Sequence, residues 1–118
     1  MSILVASLST GKGTWLQVSK LIDAEKWDKV YLVTNEFGKQ NYNKKDNVEY
    51  IIIDPNNEMD ELRDTIANEL KGRVKDTEIG LNLVSGSGKE HMALLSAILK
   101  LGLGIRLIAI TKNGSTVL

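Results

Sequence analysis

The chain has 118 residues, 42% of them apolar and 25% charged, and its fifteen basic and fifteen acidic side chains cancel to a formal net charge of zero. That length predicts one domain over residues 1–118, large enough to bury a core, while the absence of net charge argues against a duplex-DNA binder, which presents a basic face. With no cysteine and His91 as the sole histidine, neither a disulfide framework nor a thiolate or multi-histidine metal site is available, and no apolar run reaches the roughly 18 residues of a membrane span.

Residues 1–8 are apolar, lack a basic leader and run straight into a glycine loop. They predict a buried strand over Ile3–Leu8 rather than a signal peptide, and hence a cytoplasmic protein. The loop Ser9-Thr10-Gly11-Lys12-Gly13-Thr14 then opens a helix over Thr14–Ala24, with Trp15, Val18, Leu21 and Ile22 on one face at three- and four-residue spacing. Val30–Thr34 is the second predicted strand, and the polar stretch Gly38–Asn47 after it predicts an exposed loop. Val48–Ile53 is the third strand, bounded by Asp54-Pro55. Asn56-Asn57-Glu58 opens a second helix whose expected buried stripe is Met59, Leu62, Ile66 and Leu70, with Gly72 near its end. Ile79–Val84 is the fourth strand and leads into a second glycine loop, Ser85-Gly86-Ser87-Gly88-Lys89. A third helix, Glu90–Leu101, is stopped by Gly102 and Gly104. Ile105–Thr111 is the fifth strand, Lys112-Asn113-Gly114-Ser115 a hairpin turn, and Thr116–Leu118 a short edge strand.

Val/Ile/Leu strands alternating with amphipathic helices predict an α/β fold. The expected form is a Rossmann-like, mostly parallel sheet covered by helices on both faces, with a short antiparallel C-terminal edge strand. In such a sheet the loops at the carboxyl ends of the strands converge, which would gather Lys12, Lys39, Lys89 and Lys112 into a locally positive rim.

A glycine-rich turn at a helix start leaves backbone N–H groups at the positive end of the helix dipole, a geometry suited to phosphate. Either loop alone also reads as a plain strand-to-helix turn. Neither is a Walker A motif, because Leu83 and Ala6 stand where that motif has its first glycine, and Glu90 and Gly13 follow the lysines. The first loop also lacks the third glycine of a dinucleotide fingerprint, since Leu16 stands there. Lys89 is a cation at a helix N-terminus, an unfavourable place unless an anion binds beside it or solvent screens it. Ser9 and Thr10 either cap the first helix or touch a ligand. Glu36 could accept a hydrogen bond from a ribose or a base, or be a solvated loop charge. His91 is a polar helix-start residue or a ligand group. Trp15 and Trp27 read as packing groups. The third helix, apolar almost all round from His91 to Leu99, predicts a two-fold subunit interface or burial between the sheet and another helix.

The run from Asn82 to Met92, Asn-Leu-Val-Ser-Gly-Ser-Gly-Lys-Glu-His-Met, resembles the signature of CRISPR-associated Rossmann fold (CARF) domains. That signature is an Asn on the fourth strand, a Thr/Ser-Gly-Gly-Thr-Lys turn and a Met in the helix. Ser85, Gly86 and Lys89 match position for position; Ser87 and Gly88 replace Gly and Thr, and Met92 arrives one residue late. Ser9-Thr10-Gly11 is similar to the family's other ligand loop, and the strand order and terminal hairpin agree over essentially the whole chain.

The resemblance implies a homodimer, through the 90–101 helix, that binds cyclic oligoadenylate across its two-fold axis, cyclic tetra-adenylate foremost. Stand-alone members called ring nucleases cleave this messenger without a metal and switch off the antiviral response. A ribose 2′-OH attacks the adjacent phosphorus in line and leaves a 2′,3′-cyclic phosphate. The resemblance makes Ser9, Thr10 and Lys89 the catalytic candidates. Gly11, Lys12, Asn35, Glu36, Ser85, Gly86, Ser87, Gly88 and His91 are the ligand-binding ones. No metal, cofactor, duplex DNA or membrane is expected. The alternatives are a sensor domain that binds the ring without cutting it and a generic nucleotide-binding Rossmann protein. The lack of an effector domain favours the ring nuclease over the sensor.

Overall fold

The apolar run Ile3–Ser7 forms β1 and is buried at every position. In the computed structural model, which describes residues 2–9 and 11–118, β1 lies inside a six-stranded sheet. The other strands are β2 (Lys29–Thr34), β3 (Val48–Ile52), β4 (Glu78–Asn82), β5 (Gly104–Thr111) and β6 (Gly114–Val117). Their order is β3-β2-β1-β4-β5-β6. Neighbours pair in parallel except β5 and β6, which are antiparallel. The helices are α1 (Trp15–Ala24), α2 (Glu36–Asn41), α3 (Met59–Lys71) and α4 (Gly88–Lys100). This is the Rossmann-like α/β fold that the alternation of strands and helices predicts.

Alternate strand residues face opposite sides of a sheet, and two core layers result. Ile3, Val5, Tyr31 and Val33 pack with Leu62, Ile66 and Leu70 of α3 and Leu94 and Ile98 of α4. Leu4, Ala6, Val30 and Leu32 pack on the other side with Val18, Leu21 and Ile22 of α1 and with Trp27. The register Leu4↔Val30 and Val5↔Tyr31 keeps each pair on a common face. Each such fully buried Leu or Ile contributes roughly 1.5–3 kcal/mol. Trp27 crosses β4 at Gly80, where a Cβ would lie 2.8 Å from Ile108 Cδ1 and 3.2 Å from the indole. The Trp27 indole N–H donates to the Leu21 carbonyl at 3.1 Å.

Several expectations need correction. The stretch Gly38–Asn47 is not all loop, because α2 runs through its start. The Asn35 side chain caps that helix by accepting from the Gly38 N–H at 3.0 Å. Met59 does not belong to the buried stripe of α3; it is 48% exposed at the helix start, one turn before Leu62 meets the sheet. β4 ends at Asn82 rather than Val84. The buried Asn82 amide donates to the Ile108 carbonyl at 2.8 Å, and its Oδ1 accepts from the Val84 N–H at 3.2 Å, which turns the chain out of the sheet. β6 begins at Gly114, two residues earlier than expected. α4 is not enclosed: Ala93, Leu94, Ala97 and Ile98 are buried, while Met92 and Leu99 are 63% and 62% exposed. No helix among the described residues is long and apolar enough to cross a membrane.

Candidate functional site

From β1 the chain builds outward to β2 and β3, then returns to lay β4 on the other side of β1. Strand order therefore reverses between β1 and β4, and the crevice outside their carboxyl ends is where sheets of this kind take ligands. The two glycine loops flank it, one following each strand.

Hydrogen bonds join these loops directly. The Ser9 N–H donates to Ser85 Oγ at 2.8 Å, and Ser85 Oγ donates to Ser9 Oγ at 3.1 Å. The buried Ser7 hydroxyl donates to the Ser85 carbonyl. His91 Nε2 lies 2.8 Å from the same oxygen. A carbonyl only accepts, so this ring nitrogen carries the proton. Ser85 is thereby held through both its backbone and its side chain, and its carbonyl faces two donors. The chain then turns at Gly86 with φ +108°, where a Cβ would lie 3.1 Å from His91 Nε2 and 3.2 Å from Ser7 Oγ. Only glycine meets both demands without strain.

The start of α4 is partly satisfied by its own residues. Ser87 Oγ accepts from the Glu90 N–H at 3.2 Å, and Glu90 Oε1 accepts from the Ser87 N–H at 2.8 Å, a reciprocal capping box. The N–H groups of Gly86, Gly88 and Lys89 have no acceptor among the described residues. They are the donors this terminus offers an anion. Glu90 also brings a carboxylate to the terminus, which opposes one.

Both loop lysines lie to one side. Lys89 Nζ donates to the Pro55 carbonyl, beyond the end of β3, at 3.0 Å. Lys12 Nζ lies 5.7 Å from the Trp15 ring centroid and 5.6 Å from that of Phe37, in cation–π range. Trp15 also steadies the first loop by donating its indole N–H to the Ser9 carbonyl at 2.8 Å.

Ser9 is not a helix cap. Its hydroxyl donates to the Gly11 carbonyl at 3.2 Å. A 3-10 turn over Lys12–Thr14 precedes α1, and neither has a side-chain cap. Thr10 lies outside the described residues. The structure thus brings together Ser9, Ser85, Gly86 and His91. Lys12 and Lys89 reach away from this tie, Lys12 to Trp15 and Phe37 and Lys89 to the Pro55 carbonyl. Glu36 has no hydrogen-bond or ion-pair partner among the described residues. None of these residues form a cluster of three or more carboxylates and imidazoles able to hold a metal.

Sequence reasoning missed Ser7; it placed the segments Asn35–Lys39 and Asp54–Asn57 at the carboxyl edge of the sheet but singled out neither Phe37 nor Pro55. A hydroxyl inside a buried apolar strand was the signal for Ser7, because buried polar groups need partners. Phe37 was an isolated aromatic in a polar stretch, and nothing in Pro55 announced the Lys89 contact. No protein-family model matches the chain, and no curated protein matches it either. The arrangement can position a phosphoryl group and stabilise charge on its oxygens.

Proposed function

We propose that this chain is a CARF-like protein, a homodimer that binds cyclic oligoadenylate, cyclic tetra-adenylate foremost, and cleaves it, so ending type III CRISPR signalling. The observation that carries the reading is the tie between Ser9 and Ser85, which holds two glycine loops together across the reversal of strand order. The N–H groups of Gly86, Gly88 and Lys89 would bind the non-bridging phosphoryl oxygens, with the remaining Lys89 hydrogens beside them, while Ser9 Oγ, its proton on the Gly11 carbonyl, would offer a lone pair. The 2′-oxygen bonds to phosphorus as the bond to the 5′-oxygen breaks. A proton passes overall from the 2′-hydroxyl to the leaving 5′-oxygen, and the products end in a 2′,3′-cyclic phosphate and a 5′-hydroxyl. The open apolar face of α4, with Met92 and Leu99, would supply the dimer contact.

A second reading, a sensor that binds the ring without cutting it, draws support from Lys89. Its ammonium is already engaged with Pro55, and a positioned transition-state cation is what cleavage asks of it. Incubation with cyclic tetra- and hexa-adenylate in EDTA, followed by chromatography, separates the readings. Products ending in 2′,3′-cyclic phosphate support the ring nuclease, and a tightly bound ring that stays intact supports the sensor. Absence of binding refutes both and leaves a generic nucleotide-binding protein.

A further inference from the structure

Beside the glycine loops, the carboxyl ends of β2 and β3 frame a second depression of roughly 520 Å3. That lies within the roughly 300–1,000 Å3 of small-molecule sites. Phe37, Ile52, Ile53 and Pro55 give it apolar walls, and Asn35 and Glu36 bring polar groups. Phe37 is 41% exposed. The Asn35 oxygen is engaged by the Gly38 N–H, which leaves its amide hydrogens for an outside acceptor. The Glu36 carboxylate, unpaired among the described residues, is left for an outside donor. An apolar slot edged by one donor and one acceptor suits a flat heteroaromatic ring.

The two loop lysines touch the walls of this depression. Lys12 lies against the Phe37 ring, and Lys89 donates to the Pro55 carbonyl. Each lysine comes from one glycine loop, so a side chain from each loop reaches the walls of the depression.

We infer that this depression seats the adenine base of a nucleotide whose phosphate lies on the glycine loops, Phe37 giving a stacking surface and Glu36 accepting from the exocyclic amino group. The inference rests on the phosphate-binding part of the proposed function, and on neither ring closure nor cleavage. A base with a carbonyl oxygen at that position, as in hypoxanthine, sets two acceptors against each other and binds more weakly.

The test is a titration with AMP, IMP and ribose 5-phosphate, followed by NMR at the Ile52 and Ile53 methyls and the Gly86 and Gly88 amides. AMP is expected to shift both sets, and ribose 5-phosphate only the amides. Phe37→Ala should weaken AMP roughly 5- to 150-fold, the usual worth of one base–aromatic stack, and leave ribose 5-phosphate unchanged. Phe37→Trp keeps a stacking surface and should retain AMP, which separates lost stacking from a disturbed contact with Trp15, whose ring centroid lies 6.1 Å from that of Phe37. Glu36→Gln should narrow the preference for AMP over IMP. If AMP moves the amides but not the isoleucine methyls, the base seat is overturned and the phosphate reading stands. Movement of the methyls alone keeps the base seat and removes the phosphate reading. Silence at both sets refutes the two together.

Discussion

Gly86 and Gly88 are two residues apart in one loop, and the structure gives their substitution opposite outcomes. Alanine at Gly86 must adopt φ near +108°, a region that costs a non-glycine residue about 1–3 kcal/mol. Its Cβ must also fit 3.1 Å from His91 Nε2 and 3.2 Å from Ser7 Oγ. If either donor is displaced from the Ser85 carbonyl, a buried hydrogen bond worth about 0.5–1.5 kcal/mol is lost. The expected destabilisation is about 2–4 kcal/mol. With a urea slope of about 1–3 kcal/mol per molar, the midpoint falls by about 1 M or more at unchanged slope. At Gly88 a Cβ meets nothing within 4 Å and φ is not positive, so alanine at this first position of α4 should be neutral or stabilising by a few tenths of a kcal/mol. Urea unfolding of both variants is the assay, with Ser7→Ala as a partner mutation. Removing the Ser7 hydroxyl should relieve part of the Gly86→Ala penalty, so the double mutant is less destabilised than the sum. Equal midpoints for Gly86→Ala and Gly88→Ala would refute the account of this turn.

Gly80→Ala should cost about 1–3 kcal/mol by forcing Trp27 and Ile108 apart, with a shift in tryptophan emission; a midpoint within error of the parent contradicts the packing described. Burial raises the Tyr42 phenol above its ordinary 10.0, with the Asp23 charge adding to this and the Ser19 and Lys45 contacts opposing it. The folded state therefore holds that proton more tightly than the unfolded chain, so stability is level below pH 10 and falls as pH rises through the folded-state value. Tyr42→Phe should make this alkaline loss shallower, and an unchanged pH profile by urea titration counts against it. Leu99→Glu, on the exposed face of α4, should yield a folded monomer by light scattering and circular dichroism, whereas a wild-type monomer at micromolar concentration removes the dimer interface. Lys89→Ala should weaken cyclic tetra-adenylate by about 1.5–3 kcal/mol, the scale of a charge-assisted hydrogen bond, and calorimetry showing parental affinity would take this lysine out of the site.

The sheet was legible because parallel strands covered on both faces must be apolar on both, which writes Ile3–Ser7 and its neighbours as unbroken runs. α2 was not, for two reasons. Six residues are too few to display a 3.6-residue period, and the helix depends on Asn35 and on Gly38 lying against Thr34, where a Cβ would collide with the hydroxyl. Both are local contacts, three and four residues along the chain, so Asn35 as an N-cap was a start signal the sequence did carry, while the close approach of Gly38 to Thr34 shows only in the structure. Met59 shows the converse error: it keeps the spacing of Leu62 and Ile66, but periodicity does not tell where a helix leaves the sheet. At the site, Ser87-Gly88-Lys89-Glu90 carries the spacing of a capping box, a signal that the phosphate reading overrode. The direction of Lys89 was beyond sequence, since a four-methylene arm can reach either loop.

The hydrogen bonds that build the crevice also decide what can act in it. Ser85, with two donors on its carbonyl and two bonds at its hydroxyl, is a structural tie, and the His91 Nε2 proton belongs to the same tie. Ser87 and Glu90 satisfy each other. What remains for a ligand is the N–H groups of Gly86, Gly88 and Lys89, one lone pair on Ser9 Oγ, whose proton goes to the Gly11 carbonyl, and the two loop lysines. The glycine loops bring Lys12, Lys89 and Glu90, α2 adds Glu36 and Lys39, and Asp54 follows β3 beside them, so these three cations are matched by three carboxylates. A field built that way gives little long-range attraction for a polyanion. On the proposed reading, recognition would come from short contacts, N–H groups on phosphoryl oxygens and walls against a base, and such contacts are sensitive to the backbone path that Gly86 sets.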